Sequence, residues 1–124
     1  MIKDILLVGA GGGIGSIARY LCGRWIGSAY PSAFPAGTFA VNIAGCFLIG
    51  LFFGLTIKST GFTNDWRLLL MTGLCGGFTT FSAFTLESIQ LLKQDKTGLF
   101  FLYIAGSVVS GLLATYAGIK FFNR

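Results

Sequence analysis

The strongest constraint in this 124-residue chain is a set of four long apolar segments separated by short charged stretches. Each segment is longer than the roughly 20 residues that a helix needs to cross a hydrocarbon layer of about 30 Å. None of them alternates with the period of two that barrel strands require. The sequence therefore predicts an all-α membrane protein with four transmembrane helices, forming a single domain over residues 1–124. The predicted spans are residues 5–26, 34–57, 68–92 and 98–119.

The composition indicates a lipid rather than an aqueous environment. Only 10% of the residues are charged and 54% are hydrophobic, whereas a soluble domain carries about 25% charged residues. The net charge of +5 is spread along the chain without a basic run, so no nucleic-acid partner is expected. We expect a multi-pass protein of the cell membrane that is surrounded by the lipid bilayer.

Several kinds of enzyme chemistry are excluded by the residue types. The chain has no histidine, which removes the usual base of hydrolase triads and the commonest zinc ligand. Cys22, Cys46 and Cys75 stand alone within apolar segments, without a CxxC pair. We interpret them as small buried apolar residues. No nucleophile and base can be paired across the segments, and the sequence predicts that the protein is not an enzyme.

The positive charges of the loops leave the membrane orientation nearly undecided. The side that holds the N-terminus carries five lysine or arginine residues and the opposite side carries four. Because this asymmetry sets topology, a near tie is consistent with two oppositely inserted copies in an antiparallel homodimer, and equally with one fixed orientation. The two sets are Lys3, Lys58, Arg67, Lys120 and Arg124 against Arg19, Arg24, Lys93 and Lys96.

Polar residues inside the apolar segments mark a candidate functional site. Asn42 lies well inside the second segment, where a carboxamide needs either an interhelical hydrogen bond or a polar cavity, and the residues leave both open. Residues 76–84 (GGFTTFSAF) place paired glycines and threonines in the middle of the third segment. Glycine and hydroxyl side chains weaken a helix, so we predict that the third helix is broken at its centre. The freed carbonyl oxygens would suit an alkali cation.

Two further patterns accompany this segment. Phe81 and Phe84 are three residues apart and share one helix face, a spacing that ordinary core or lipid contacts also produce. In the fourth segment, polar or small residues recur every four positions, although hydroxyls that bond to their own helix produce the same pattern. With Asn42, these groups describe a narrow uncharged path lined by hydroxyls, an amide and ring edges. The stripe consists of Tyr103, Ser107, Gly111 and Thr115.

These motifs resemble those of the small CrcB/Fluc fluoride channels. The resemblance covers essentially the whole chain in length, number of spans and order of motifs. It rests on residues 37–42 (GTFAVN), residues 76–84 with Glu87, residues 106–107 after Tyr103, and Gly15 and Arg19.

The resemblance implies a passive fluoride-selective channel that exports fluoride across the bacterial inner membrane. It implies an antiparallel, dual-topology homodimer with a structural sodium ion at its centre and no organic cofactor. Backbone carbonyls of Gly76 and Thr79 would hold the sodium ion, and Arg19 would raise the anion concentration at the pore mouth. The implied pore residues are Asn42, Phe81, Phe84, Tyr103, Ser107 and Thr115.

Two other functions stay open. A small proton-coupled multidrug exporter also has four short helices, but it needs a carboxylate within the membrane. Glu87, near the end of the third segment, is the acidic residue available for that role. A non-transporting membrane assembly subunit would use Asn42 and the hydroxyls only to hold helices together.

Overall fold

The computed structural model describes residues 1–30 and 32–123, so Arg124 of the charge comparison lies outside the described residues. Within them, every regular element is helical, and four helices are long and apolar enough to cross a membrane. The predictions of an all-α fold and four spanning helices are therefore confirmed. The spans are Ile2–Ala29, Ala36–Lys58, Asn64–Lys93 and Thr97–Phe122.

The helices differ from the predicted apolar segments mainly at their ends. Most of the helices continue for one to four residues beyond the ends of the apolar segment, because the hydrogen bonds of a helix do not depend on whether its side chains are apolar. The second span begins two residues late, at Ala36, because Pro35 is its N-cap residue and a proline disfavours helical backbone at the residue before it, Phe34.

The third span consists of several pieces, whereas α1 (Ile2–Ala29), α2 (Ala36–Lys58) and α6 (Thr97–Phe122) are continuous. Thr79 and Thr80 have extended backbone. Thr79 has φ −88° and ψ 158°, and Thr80 has φ −147° and ψ 125°. Thr80 is the N-cap of the helix that follows, and its hydroxyl accepts a hydrogen bond from the Ala83 N–H at 3.2 Å. The pieces are α3 (Asn64–Trp66), a π-helix (Arg67–Cys75), α4 (Gly76–Phe78) and α5 (Phe81–Lys93).

Glycines permit the closest helix contacts. α1 packs against the first half of the third span, and α2 packs along α6. A Cβ atom on Gly15 would overlap the carbonyl oxygen of Leu74, and one on Gly50 would overlap that of Thr115. Because lipid offers no hydrophobic drive for helices to associate, such close backbone packing is a main source of stability.

This packing predicts opposite effects for two glycines of α1. Gly15→Ala should destabilise the protein by about 3 kcal/mol, since the added methyl group meets backbone that cannot move aside. Gly13→Ala should be neutral or stabilise by up to about 1 kcal/mol, because Gly13 faces open space and alanine favours a helix. Thermal unfolding in detergent measures both variants. Equal melting temperatures would show that α1 does not touch the third span at Gly15.

The single chain buries few large side chains. Among the described residues, the buried hydrophobic ones are Val41, Cys75, Leu91 and Tyr103. The interpretation of the cysteines as buried is confirmed for Cys75, whereas Cys22 and Cys46 are half-buried. The outward surface is rich in apolar side chains and suits lipid or a second protein surface.

Candidate functional site

Asn42 of α2 is joined to the extended segment of the third span by two hydrogen bonds. Its Nδ2 donates to the Thr80 carbonyl oxygen at 3.1 Å, and the Thr80 N–H donates to its Oδ1 at 2.9 Å. This pairing satisfies the N–H and the carbonyl of Thr80, whose backbone is extended. Nδ2 carries a second N–H, and Asn42 also lines a cleft. Asn42 thus makes an interhelical hydrogen bond and also lies in the lining of a cleft, and these are the two interpretations that the sequence left open.

Two backbone carbonyls lose their usual helical donors in this segment. In a continuous helix the Thr80 N–H would bond to the Gly76 oxygen, but it donates to Asn42. The Ala83 N–H would bond to the Thr79 oxygen, but it donates to the Thr80 hydroxyl. Gly76 is exposed, and both residues line the same cleft. Carbonyl oxygens of this kind are hard ligands that fit an alkali cation.

The cleft has a volume of about 440 Å³, is open to the outside of the chain and lies among the second, third and fourth spans. Its described lining includes hydroxyls, one amide and aromatic rings but no charged side chain. Most of the surface that lines it is apolar, and the amide and hydroxyls are scattered within that surface, so the ion path that the sequence pattern describes stays a prediction. Six of the nine predicted site residues line it: Asn42, Gly76, Thr79, Phe81, Phe84 and Ser107.

Phe81 and Phe84 lie side by side on α5 at this cleft. Their ring centroids are 5.9 Å apart and their planes are inclined by 42°. Phe84 also packs on the buried Tyr103 ring at 5.0 Å, whereas 77% of Phe81 is exposed. Because the edge of an aromatic ring is electropositive, both can present ring hydrogens to an anion. Phe84 is held in place by the chain itself, and Phe81 is open to a neighbour.

Tyr103 does not line the cleft but supports it from behind. It is fully buried, and its hydroxyl donates to Glu87 Oε1 at 3.2 Å. The Thr38 hydroxyl donates to Glu87 Oε2 at 3.0 Å, so both carboxylate oxygens have partners. Sequence reasoning assigned no such role to Glu87. A lone acid in an apolar segment, with hydroxyls in two other segments, is a signal for a hydrogen-bonded carboxylate such as the half-buried Glu87.

A second cleft, of about 390 Å³, lies where the end of α1 meets the start of α2. Arg19, Arg24 and Glu87 are its charged lining residues among those described. Arg24 is partly engaged, since its Nη1 donates to the Tyr20 hydroxyl at 3.4 Å. Thr80 lines this cleft as well as the first, so Arg19 lies in a charged cleft that adjoins the uncharged one.

The polar stripe of α6 is divided between two environments. Ser107 lines the first cleft, and its Oγ is buried without a hydrogen-bond partner among the described residues. Thr115 lies outside the lining of that cleft, and its hydroxyl donates to the Cys46 carbonyl of α2 at 3.1 Å. The structure thus places Ser107, and not Thr115, beside Asn42 and the phenylalanines.

The fold and these clefts define a class of protein: a four-span helical membrane protein with an uncharged, largely apolar cleft beside a second cleft that contains two arginines and a glutamate. The chain belongs to the CrcB-like family, since the family model described as CrcB-like protein, Camphor Resistance (CrcB), matches residues 6–119. The resemblance drawn from the sequence is therefore confirmed.

Three curated relatives, each named fluoride-specific ion channel FluC, illustrate the similarity. The protein of Phocaeicola vulgatus is 53% identical, covering 95% of this chain and 97% of the relative. The protein of Flavobacterium psychrophilum is 48% identical, covering 95% of this chain and 95% of the relative. The protein of Chlorobium luteolum is 49% identical, covering 94% of this chain and 89% of the relative. The chain is thus a multi-pass bacterial membrane protein from a family of ion channels, not of enzymes.

Proposed function

We propose that this chain forms a passive fluoride-selective channel that exports fluoride across the bacterial inner membrane and lowers its cytoplasmic concentration. The observation that carries the proposal is the first cleft, whose described lining offers an amide, hydroxyls and ring edges within an apolar surface and contains no charged side chain. Fluoride holds its hydration shell tightly, so a selective path must replace water with several donors and still release the ion. The names of the relatives support fluoride as the permeant ion.

In this proposal the lining groups contribute in different ways. The second Nδ2 hydrogen of Asn42 and the hydroxyl of Ser107 donate ordinary hydrogen bonds, and Phe81 and Phe84 present ring edges. Tyr103 fixes Phe84, and Thr115 completes the hydroxyl track at a greater distance. Arg19 in the second cleft raises the local concentration of anions before they reach the narrow part.

The proposed channel is an antiparallel, dual-topology homodimer with a sodium ion at its centre. The open first cleft, the exposed Phe81 ring and the nearly balanced loop charges support a second, oppositely inserted copy. In this assembly the third span acts as a broken helix, and the carbonyls of Gly76 and Thr79 hold sodium. The ion would neutralise their dipoles and so have a structural role rather than being transported.

The two alternative functions, a proton-coupled exporter and a membrane assembly subunit, are tested by different hydrogen bonds in the structure. Both Glu87 oxygens accept hydrogen bonds from Thr38 and Tyr103, which leaves a proton-coupled exporter without a free carboxylate on that residue. The interhelical bonds of Asn42 and Thr115 are what an assembly subunit requires. That function, however, does not account for the buried Ser107 hydroxyl, which has no hydrogen-bond partner within residues 1–30 and 32–123 and lies at an open cleft.

Efflux from liposomes that contain only this protein tests the proposal. With ion-selective electrodes and no imposed proton gradient, we expect rapid loss of fluoride and retention of chloride. Fluoride transport that requires a proton gradient would instead favour an exporter. No fluoride flux from folded, reconstituted protein would favour the assembly subunit.

A further inference from the structure

The contact between Asn42 and Thr80 determines which backbone groups of the third span are free. An asparagine that merely lined a path would direct its carboxamide to the cleft. Here the carboxamide oxygen and one N–H are both used by the backbone of a single residue, Thr80. A reciprocal pair of this kind fixes the orientation of both amides, because neither can rotate without losing two hydrogen bonds.

We infer that Asn42 is a positioning residue for the cation site: it holds Thr80 in its extended conformation and thereby keeps the Gly76 carbonyl free to bind sodium. This inference rests on the sodium site proposed above. Without Asn42, the Thr80 N–H would be an unpaired donor at membrane depth, and the Gly76 oxygen is the acceptor four residues before it. Closing that bond would continue the helix and occupy the carbonyl.

A second contact shows that α2 supports this segment at more than one point. A Cβ atom on Gly45, three residues after Asn42, would overlap the Thr79 Cγ2 atom, so the two extended threonines lie directly on α2. Val41, next to Asn42, is buried, and α2 packs along α6. Asn42 therefore projects from a fixed surface, which is what a residue needs to hold another segment in place.

The same carboxamide thus serves two places at once. One N–H and the oxygen hold Thr80, and the remaining N–H is available to an ion in the first cleft. Removing the side chain should then weaken sodium binding as well as fluoride conduction. A residue that only lines the fluoride path would change conduction alone.

Sodium-dependent thermal unfolding distinguishes these roles. Purified wild-type protein and Asn42→Ala are unfolded in detergent over a range of sodium concentrations, with ionic strength held constant by a large organic cation. We expect sodium to raise the melting temperature of the wild type. In Asn42→Ala the sodium concentration that gives half of the effect should rise about tenfold or more, the change expected when one or two hydrogen bonds are lost.

Ser107→Ala is the matched control, because Ser107 lines the same cleft but its hydroxyl makes no hydrogen bond to Thr80 or to any other described residue. It should lower fluoride flux but leave the sodium midpoint within about twofold of the wild type. If Asn42→Ala does not fold, Asn42→Gln keeps the same polar groups on a longer side chain and should raise the midpoint.

Two results would overturn the inference. An unchanged sodium midpoint in folded Asn42→Ala would show that the residue does not position the cation site. Absence of any sodium effect on the wild type would remove that site altogether. The liposome flux of the wild type is measured separately, so either result is distinguishable from failure of the proposed channel function.

Discussion

Phe84→Ile is expected to reduce fluoride efflux from liposomes by about 100-fold while the protein stays folded. Isoleucine keeps most of the apolar volume but has no electropositive ring edge, and loss of one preorganised contact to an anion in a dry site costs about this much. Phe84 is the more informative of the two phenylalanines, because its ring is held against Tyr103 within one chain. Phe81→Ile should act in the same direction.

Phe101→Ile provides the comparison for this experiment. Phe101 lies on α6, is 63% exposed and does not line either described cleft, so its replacement should leave the flux within about twofold. Fluoride flux is followed with an electrode, and folding is checked by gel filtration and melting temperature. Normal flux through Phe84→Ile would remove the ring edge from the conduction mechanism.

The second large effect is expected for Asn42→Asp, which should lower fluoride flux by about 1,000-fold. A carboxylate about 4 Å from a passing anion raises its energy by about 4 kcal/mol at an effective dielectric constant of about 20. Aspartate also cannot donate to the Thr80 carbonyl, which Asn42 Nδ2 contacts at 3.1 Å. Both effects act in the same direction.

Asn123→Asp adds the same charge away from the first cleft and controls for charge alone. Asn123 follows α6, where its Nδ2 donates to the carbonyls of Gly54 and Ile119. Its replacement should cost about 1 kcal/mol of stability but change flux less than about twofold. If Asn42→Asp conducted as well as Asn123→Asp, the carboxamide of Asn42 would not lie beside the ion path.

The length of the apolar segments was sufficient to predict the four spans, because crossing a membrane is a requirement on local sequence. The cluster of small and hydroxyl residues at 76–84 contains the extended Thr79 and Thr80, while the break at the centre of the third helix stays a prediction. Both predictions depend on residues close together in the chain, where backbone preferences decide the outcome.

Contacts between distant residues were beyond such reasoning. The pairing of Asn42 with Thr80 and of Glu87 with Thr38 and Tyr103 depends on how α2, α5 and α6 are rotated against one another. The stripe on α6 shows the same limit. A spacing of four residues places Ser107 and Thr115 on one face of the helix. Only the packing of α6 against α2 decides that the Thr115 hydroxyl donates to the Cys46 carbonyl while Ser107 lines the first cleft.

Thr80 lines both clefts, and this has an electrical consequence. In the proposed channel, an ion that leaves the charged lining of the second cleft meets the uncharged lining of the first cleft at Thr80. Moving one charge through the whole membrane changes its energy by about 2.3 kcal/mol per 100 mV. Part of that voltage acts on the ion after it has passed Thr80, so fluoride flux should depend on membrane potential.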